Sequence, residues 1–328
     1  MTHPACLIIC LTPLQALTAQ SLIRAHAPTP FDLLMLCYPE ADNAKFHHYF
    51  RQTAALCRQA HYAVLPVRRW AHWRSLQGLR RQLLPHYAVI FAASIDNLNV
   101  QYLLENLSYT QLETFDDGSG NLTPSGILYR NKPHSLWQRS LRRLLGVRRD
   151  TEDFRRHSTR HHTLYPGLPN IATPTVAVNL WPQQAAVANV PTRQRRILLG
   201  QPAYAQAADN IAFTQQLLHT FAIEHYFPHP REDYRIGDAN YIDSDLIFED
   251  YLLTQIQAMP DTAFHIYHLA STAALNVCRF PHVTVHAIRP ALPLFRQPVY
   301  AHLYTLMAHM GMAIHAFPPE GELKETAI

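Results

Sequence analysis

The chain has 328 residues, of which 48% are hydrophobic and 16% charged, and its net charge is +4 with the histidines neutral. That length exceeds one ordinary hydrophobic core and fits two domains, and the composition excludes a disordered chain or a polytopic membrane protein. The mean field is only mildly attractive to anions, although 21 histidines make the protein far more basic in mild acid.

The five cysteines (Cys6, Cys10, Cys37, Cys57 and Cys278) form no CxxC pair and lie mostly in apolar runs. They read as buried free thiols of a reducing compartment, not as a zinc site or a disulfide framework. The pairs His47-His48 and His161-His162 also lack metal-ligand spacing, so no metal site is expected.

Residues 5–11 are apolar and β-branched. They are too few to span a bilayer and follow no basic segment, so they read as a first strand buried on both faces, with no export signal or anchor. Thr12-Pro13 closes that strand, and residues 14–27 carry an apolar stripe of Leu14, Leu17, Leu22 and Ile23 at helical spacing. Strands are then predicted at 31–37, 62–66, 87–92 and 111–115, and helices at 43–59, 70–84 and 97–107. This alternation predicts a parallel, doubly wound sheet, which holds ligands beyond the carboxyl ends of its strands. Asp116-Asp117-Gly118 falls at such an end.

Residues 130–165 break the rhythm. A helix over 137–147 sets Arg139, Arg142 and Arg143 between Leu136, Leu141, Leu144 and Leu145, and Arg148, Arg149, Arg155, Arg156 and Arg160 follow. Three readings are open: a solvated helix face with an arginine-rich loop, attachment to an anionic membrane or an acidic acceptor, and a dimer contact. Nucleic acid fits less well, because no fold signature accompanies the patch. Residues 167–191 are rich in Pro, Ala and Asn and read as a linker.

A second α/β unit begins at 195–200, with helices at 211–220, 246–259 and 298–310 and strands at 223–227, 264–268 and 283–287. The expected domains are therefore 1–175 and 190–328, the last helix packing back on the first domain. The Asp pair and Pro228-His229-Pro230 fall in different halves, which suits a cleft with one motif on each wall.

Each motif has a bland reading beside a chemical one. Two adjacent Asp before a glycine cannot both ionise freely in a cleft, so one can serve as a base; an ordinary Asp-Gly turn would look the same. Pro228 and Pro230 fix the backbone around His229, as a group meeting a leaving phosphate requires, but a rigid strand exit also would. Arg231 is an anion partner beside it. Ser271-Thr272 opens a small-residue stretch, as a phosphate cradle or as plain capping. Glu249 suits a ribose or a helix dipole. No Walker loop, GxGxxG or GxSxG is present.

As a set, these residues resemble the bacterial lipooligosaccharide sialyltransferases, glycosyltransferase family 52. The resemblance covers most of the chain. It rests on residues 113–122 (ETFDDGSGNL), 196–202 (RILLGQP), 228–231 (PHPR) and 249–251 (EDY), with support from 271–275 and 297–301. It implies a GT-B fold, with two Rossmann-like domains facing each other across a cleft. It implies a CMP-sialic acid donor, a galactose-terminated acceptor, and inversion without a metal ion or other cofactor. His229 would stabilise or protonate the departing CMP phosphate. Ser271 and Thr272, with Pro228 and Arg231, would hold that phosphate, and Glu249 and Gly200 the cytidine.

One departure stands out. The best-known branch of the family has an Asp directly after the Gly-x-Pro turn, where this chain has Ala203; the next Asp is Asp209. The base is then Asp209 or one of Asp116 and Asp117, with the pair preferred. The same departure keeps open another nucleotide-sugar donor, or a non-catalytic nucleotide- or glycan-binding protein. Family members often begin with an anchor. This chain starts at its first strand, so a cytoplasmic protein is expected, peripheral on the inner membrane through residues 139–149, and a homodimer is compatible with the resemblance.

Overall fold

The computed structural model describes residues 4–181, 190–230 and 232–318. The chain divides into two compact units, residues 1–180 and 181–328.

The first unit runs β1 (Cys6–Cys10), α1 (Pro13–Ala25), β2 (Phe31–Cys37), α2 (Ala44–Ala54), β3 (Gln59–Val64), α3 (Arg69–Gln82), β4 (His86–Ala92), α4 (Leu98–Asn106), β5 (Ser108–Phe115), α5 (Leu136–Leu144), α6 (Thr151–His157), β6 (Ser158–Thr163) and β7 (Thr175–Ala177). Its strands form one parallel sheet in the order β3-β2-β1-β4-β5-β6-β7. Every residue of β1 is buried, because a central parallel strand is covered on both faces. Ile9 lies opposite Leu34 on one side and Ala92 on the other. Leu7, Ile8 and Ile9 are fully buried, and burial of each such side chain contributes about 1.5–3 kcal/mol. Thr12 then caps α1 by accepting from Gln15 N (3.2 Å), and Pro13 supplies the preset first helical turn. Strands leave β1 in both directions, so the gap between the carboxyl ends of β1 and β4 is the sheet's switch point.

The predicted elements of this unit are present, with ends moved by a few residues. Three more lie where the sequence reads as irregular or as a linker: α6, β6 and β7, the last a three-residue edge strand inside residues 167–191. α6 is a short helix closed by a capping box of Asp150 and Asp153. β6 escapes sequence reading because Ser-Thr-Arg-His-His-Thr has no apolar residue. It is nonetheless interior: His161 bonds Asp116 (2.9 Å) and His162 bonds Glu113 (2.6 Å). Paired polar groups replace apolar ones in this strand.

The arginine segment divides in two. Arg142 pairs with Asp150 (2.7 Å) and Arg149 with Glu105 (3.1 Å), so these two tie α5 and the following loop to the unit. Arg139, Arg143 and Arg148 are exposed. The helix also turns its apolar residues outward: Leu136, Trp137 and Leu144 are 82%, 74% and 84% exposed. That differs from a merely solvated polar face. Among the described residues no helix is long and apolar enough to cross a membrane.

The second unit runs β8 (Arg193–Leu199), α7 (Ala207–Thr220), β9 (His225–Phe227), α8 (Phe248–Ala258), β10 (Thr262–His268), α9 (Thr272–Val277), β11 (Val283–Pro290), α10 (Pro298–His309) and β12 (Ala313–Phe317). Its parallel sheet has the order β12-β11-β10-β8-β9, with the switch point between β8 and β10. α10 lies against β11 and β12. β12 is absent from the sequence reading; it is an edge strand whose residues are mostly exposed, so its pattern carries little signal. Cys6, Cys10 and Cys37 are buried and all five thiols are free. Burial pushes Cys6 up to about 11 and Cys10 further, so both pack as small apolar residues.

Three strands of the second sheet each contribute a histidine to one row. His265 Nδ1 lies 3.1 Å from His286 Nε2, and His286 Nδ1 lies 3.1 Å from His315 Nε2. Tyr267 stacks on His286, with ring centroids 4.6 Å apart. Burial, then the His315, His265 and Arg196 charges, hold His286 down to about 4. Burial holds the fully enclosed His268 down to about 3, with a smaller push from His286. These folded values lie below the ordinary histidine value, so the unfolded chain takes up protons first as pH falls. Their stabilisation is complete above about pH 6.5 and is lost as pH falls toward the folded values. At pH 5, His268 alone accounts for about 2 kcal/mol. Thermal melts should therefore show a Tm clearly lower at pH 5 than at pH 7.5; a flat profile over that range would contradict this account.

Candidate active site

In the first unit, the two adjacent carboxylates do different work. Asp116 is 1% exposed, and its own unit satisfies it. One oxygen accepts from Thr163 Oγ1 (2.9 Å) and Leu164 N (2.6 Å), and the other bonds His161 Nε2 (2.9 Å). His161 is held in turn by Thr114 Oγ1 (2.8 Å), which also meets Ser158 Oγ (2.8 Å). The Asp116 backbone N–H donates to His162 O (3.1 Å). Asp116 thus fastens the end of β5 to β6 and to the turn after it.

Asp117 is half-buried and faces the switch point. Its carboxylate accepts from Gln15 Nε2, in the first turn of α1, and from Ser94, just beyond β4. Its backbone N–H donates to Asn121 Oδ1 (2.7 Å), closing a turn in which Gly118 has φ +76°. A side chain at Gly118 would be strained there. Burial raises the Asp117 carboxyl above the ordinary carboxylate range; bonds from Ser94 and Gln15 oppose this, while the Asp96 and Asp116 charges add to it. A half-buried carboxyl with raised proton affinity at a strand's carboxyl end is suited to general-base work.

In the second unit, residues 228–232 are shaped by contacts around Gly200. The Gly200 N–H donates to Phe227 O (2.8 Å). A Cβ on Gly200 would fall on the Tyr226 hydroxyl and 2.9 Å from His229 N, so only glycine allows this approach. Glu232 clasps the loop. Its Oε2 accepts from the Tyr226 hydroxyl (2.6 Å) and from His229 N (3.3 Å), while its N–H donates to His229 O (3.0 Å). His229 and Pro228 are half-buried. Arg231 lies outside the described residues.

The turn after Gly200 bridges this unit's switch point: Gln201 Oε1 accepts from Ala270 N (2.9 Å), beyond β10. Ser271 is the N-cap of α9, but its hydroxyl makes no cap bond, while its N–H donates to His268 Nδ1 (3.1 Å). Plain capping therefore does not explain that serine. Thr272 follows it, half-buried, at the first helical position. Glu249 is buried in the first turn of α8 and accepts from Asn276 Nδ2 (2.6 Å) of α9. Ala203 and Tyr204 both donate their N–H to Asn210 Oδ1 (2.8 and 2.9 Å), so Asn210 organises the loop. Asp209 precedes it in the first turn of α7 and is exposed, where it complements the helix dipole.

The structure therefore gathers Asp117 with Gln15 and Ser94 in one unit. In the other it gathers Gly200 with His229 and Glu232, and Gln201 with the residues before Ser271. Sequence reading misses Gln15, Ser94 and His161 because nothing near them in the chain marks them. Among the described residues no group of three His, Cys, Asp or Glu is placed to hold a metal ion.

Comparison with known proteins points one way. The model of Glycosyltransferase family 52 matches residues 33–292. A CMP-N-acetylneuraminate:beta-galactoside alpha-2,3-sialyltransferase of Pasteurella multocida is 32% identical over 94% of this chain and 98% of its own length. N-acetyllactosaminide alpha-2,3-sialyltransferases of Haemophilus influenzae and Neisseria meningitidis are each 28% identical. These matches cover 88% and 96% of this chain, and 93% and 86% of those proteins. Among solved structures, Acinetobacter baumannii MurG aligns with a TM-score of 0.44 at 12% identity, over 95% of this chain and 86% of its own, a likeness too slight to argue from. With the family matched across most of its length and a relative above 30% identity spanning nearly all of it, the chain belongs to glycosyltransferase family 52.

Proposed function

We propose that this enzyme transfers sialic acid from CMP-sialic acid to the terminal galactose of a cell-surface lipooligosaccharide, forming an α2,3 linkage. The observation that carries this is the end-to-end match to the Pasteurella sialyltransferase. The reaction is a single inverting displacement without a metal ion. Asp117 takes the acceptor proton, since Asp116 is occupied by its own unit and Asp209 lies on an exposed helix turn. His229 meets the charge developing on the CMP phosphate. The hydroxyls of Ser271 and Thr272, together with Pro228 and Arg231, complete that phosphate site, and Gly200 and Glu249 hold the cytidine. Placed donors of this kind contribute several kcal/mol, on the order of 3 each.

The protein acts at the cytoplasmic face of the inner membrane, with α5 as its contact. An outward apolar stripe beside Arg139 and Arg143 suits an anionic lipid surface. The same exposed face is the candidate for a homodimer contact.

The test is CMP release from CMP-sialic acid with a lactose-type acceptor in EDTA. Undiminished turnover is expected, and CMP, not UDP, should raise the Tm. Turnover of a UDP-sugar in place of CMP-sialic acid would replace the donor. CMP binding with no turnover on any galactoside would favour the binding-protein reading that Ala203 suggests.

A further inference from the structure

Gln15 is buried, and both polar atoms of its carboxamide have partners. Its Oε1 accepts from Leu11 N (2.6 Å). Its Nε2 donates to Ser94 Oγ (3.0 Å) and to Asp117 Oδ1. These partners follow β1, β4 and β5, three adjacent strands of the sheet. One amide therefore ties together the three strand ends that surround the switch point. Helix capping accounts for none of these bonds: Leu11 precedes the N-cap Thr12, so its N–H belongs to the end of β1 and is not a donor freed by the start of α1.

We propose that Gln15 is a positioning residue for proton abstraction: it fixes the direction of the Asp117 carboxylate and favours its ionised form. The proposal rests on the reading of Asp117 as the base. A base must be ionised to accept a proton. Burial and the neighbouring Asp96 and Asp116 charges work against ionisation, while Gln15 and Ser94 work for it. Gln15 holds Oδ1 and leaves Oδ2 outside its own grip, so one oxygen of the carboxylate is anchored. Removing the Gln15 donor should raise the proton affinity of Asp117 and so move the acid limb of the activity profile to higher pH.

Gln15→Glu combines loss of the donor with an added negative charge, whereas Gln15→Met removes the donor without adding charge. In Gln15→Glu, Oε1 still accepts from Leu11 N, so the end of β1 is still held, while the donor facing Asp117 and Ser94 becomes a charged acceptor. The acid limb of kcat/KM is expected to rise by about one pH unit or more, with turnover at pH 6 reduced about tenfold and largely restored at pH 8.5. Gln15→Met, which adds no charge, should shift the limb the same way by less, and it serves if the Glu variant does not fold. Ser94→Ala should shift the limb upward at least as far as Gln15→Met, because the Ser94 bond opposes the raised proton affinity of Asp117 more than the Gln15 bond does. The carboxyl 13C resonance of Asp117, assigned by its loss in Asp117→Asn, should titrate at correspondingly higher pH in each variant. An unmoved acid limb together with an unmoved carboxyl titration in a folded Gln15 variant would overturn the proposal. If Asp117→Asn keeps full turnover, the base reading fails by itself, and the carboxyl titration alone decides whether Gln15 governs the Asp117 charge.

Discussion

Asp117→Asn should lower turnover by about a hundredfold to ten-thousandfold at neutral pH, the range expected when a general base is removed, while the protein stays folded and still binds CMP. Asp116→Asn should do something different: it should lower the yield and Tm of the protein. The reason lies in what each carboxylate touches. Asp116 accepts from Thr163, Leu164 and His161, so an amide there replaces a charged acceptor with a neutral one and makes His161 either face an N–H or change tautomer, which loosens the join between β5 and β6. Breaking a buried network of charged hydrogen bonds in this way costs about 3–5 kcal/mol.

Asp117 has a raised folded proton affinity, which has the opposite consequence for stability. Its ionised form is disfavoured by folding, so it weakens the fold as pH rises through its folded value and weakens it fully above that. Replacing it with a neutral amide that can still accept from Gln15 should raise the Tm at pH 7.5. Activity lost while Tm rises is the combined signature to measure, by CMP release and thermal melts on the same preparations. Full turnover in Asp117→Asn would sink the assignment, and loss of turnover in Asp209→Ala alone would move the base to α7.

His229→Ala should lower turnover by about a hundredfold or more, the usual scale for a lost acid or charge-stabilising group. The loop should survive the change, because its shape depends on other atoms. Glu232 holds the backbone N–H and carbonyl of residue 229, Tyr226 holds Glu232, and Gly200 admits the close approach. The loss should therefore fall mainly on kcat, with CMP protection against melting largely retained. His229→Asn, which keeps a hydrogen-bond donor but no proton to give, should recover part of the rate if charge stabilisation dominates. Wild-type kcat in His229→Ala would remove the imidazole from the mechanism.

What could be read from the chain followed local chemistry. Strand β1 was legible because Cys6–Cys10 is an unbroken apolar run that only a doubly covered strand can use. The alternation of strands with amphipathic helices made both parallel sheets legible. The Asp-Asp-Gly and Pro-His-Pro stretches were legible as motifs, since they join reactive groups to residues that restrict the backbone. β6 was illegible because its burial is satisfied by Asp116 and Glu113, carboxylates more than forty residues away in sequence. The division of labour between Asp116 and Asp117 was illegible for the same reason: it depends on Thr163, His161, Gln15 and Ser94, which no spacing rule connects. Gln15 looks like any helix residue until the ends of β1, β4 and β5 stand side by side.

The row of His265, His286 and His315 has a consequence in proton counting. Three rings offer six nitrogens, and the two contacts between them use four nitrogens and two shared protons. Three neutral rings carry three protons, so the third sits on an outer nitrogen, at one end of the row or the other. The neutral row therefore has two forms, with all its donors pointing from β10 toward β12 or all pointing back. A proton entering at one end and another leaving at the far end converts one form into the other without any ring leaving its place. One extra proton is also accommodated with both contacts kept, both outer nitrogens then being protonated. A second extra proton leaves one contact with a hydrogen on each side, and that contact must open.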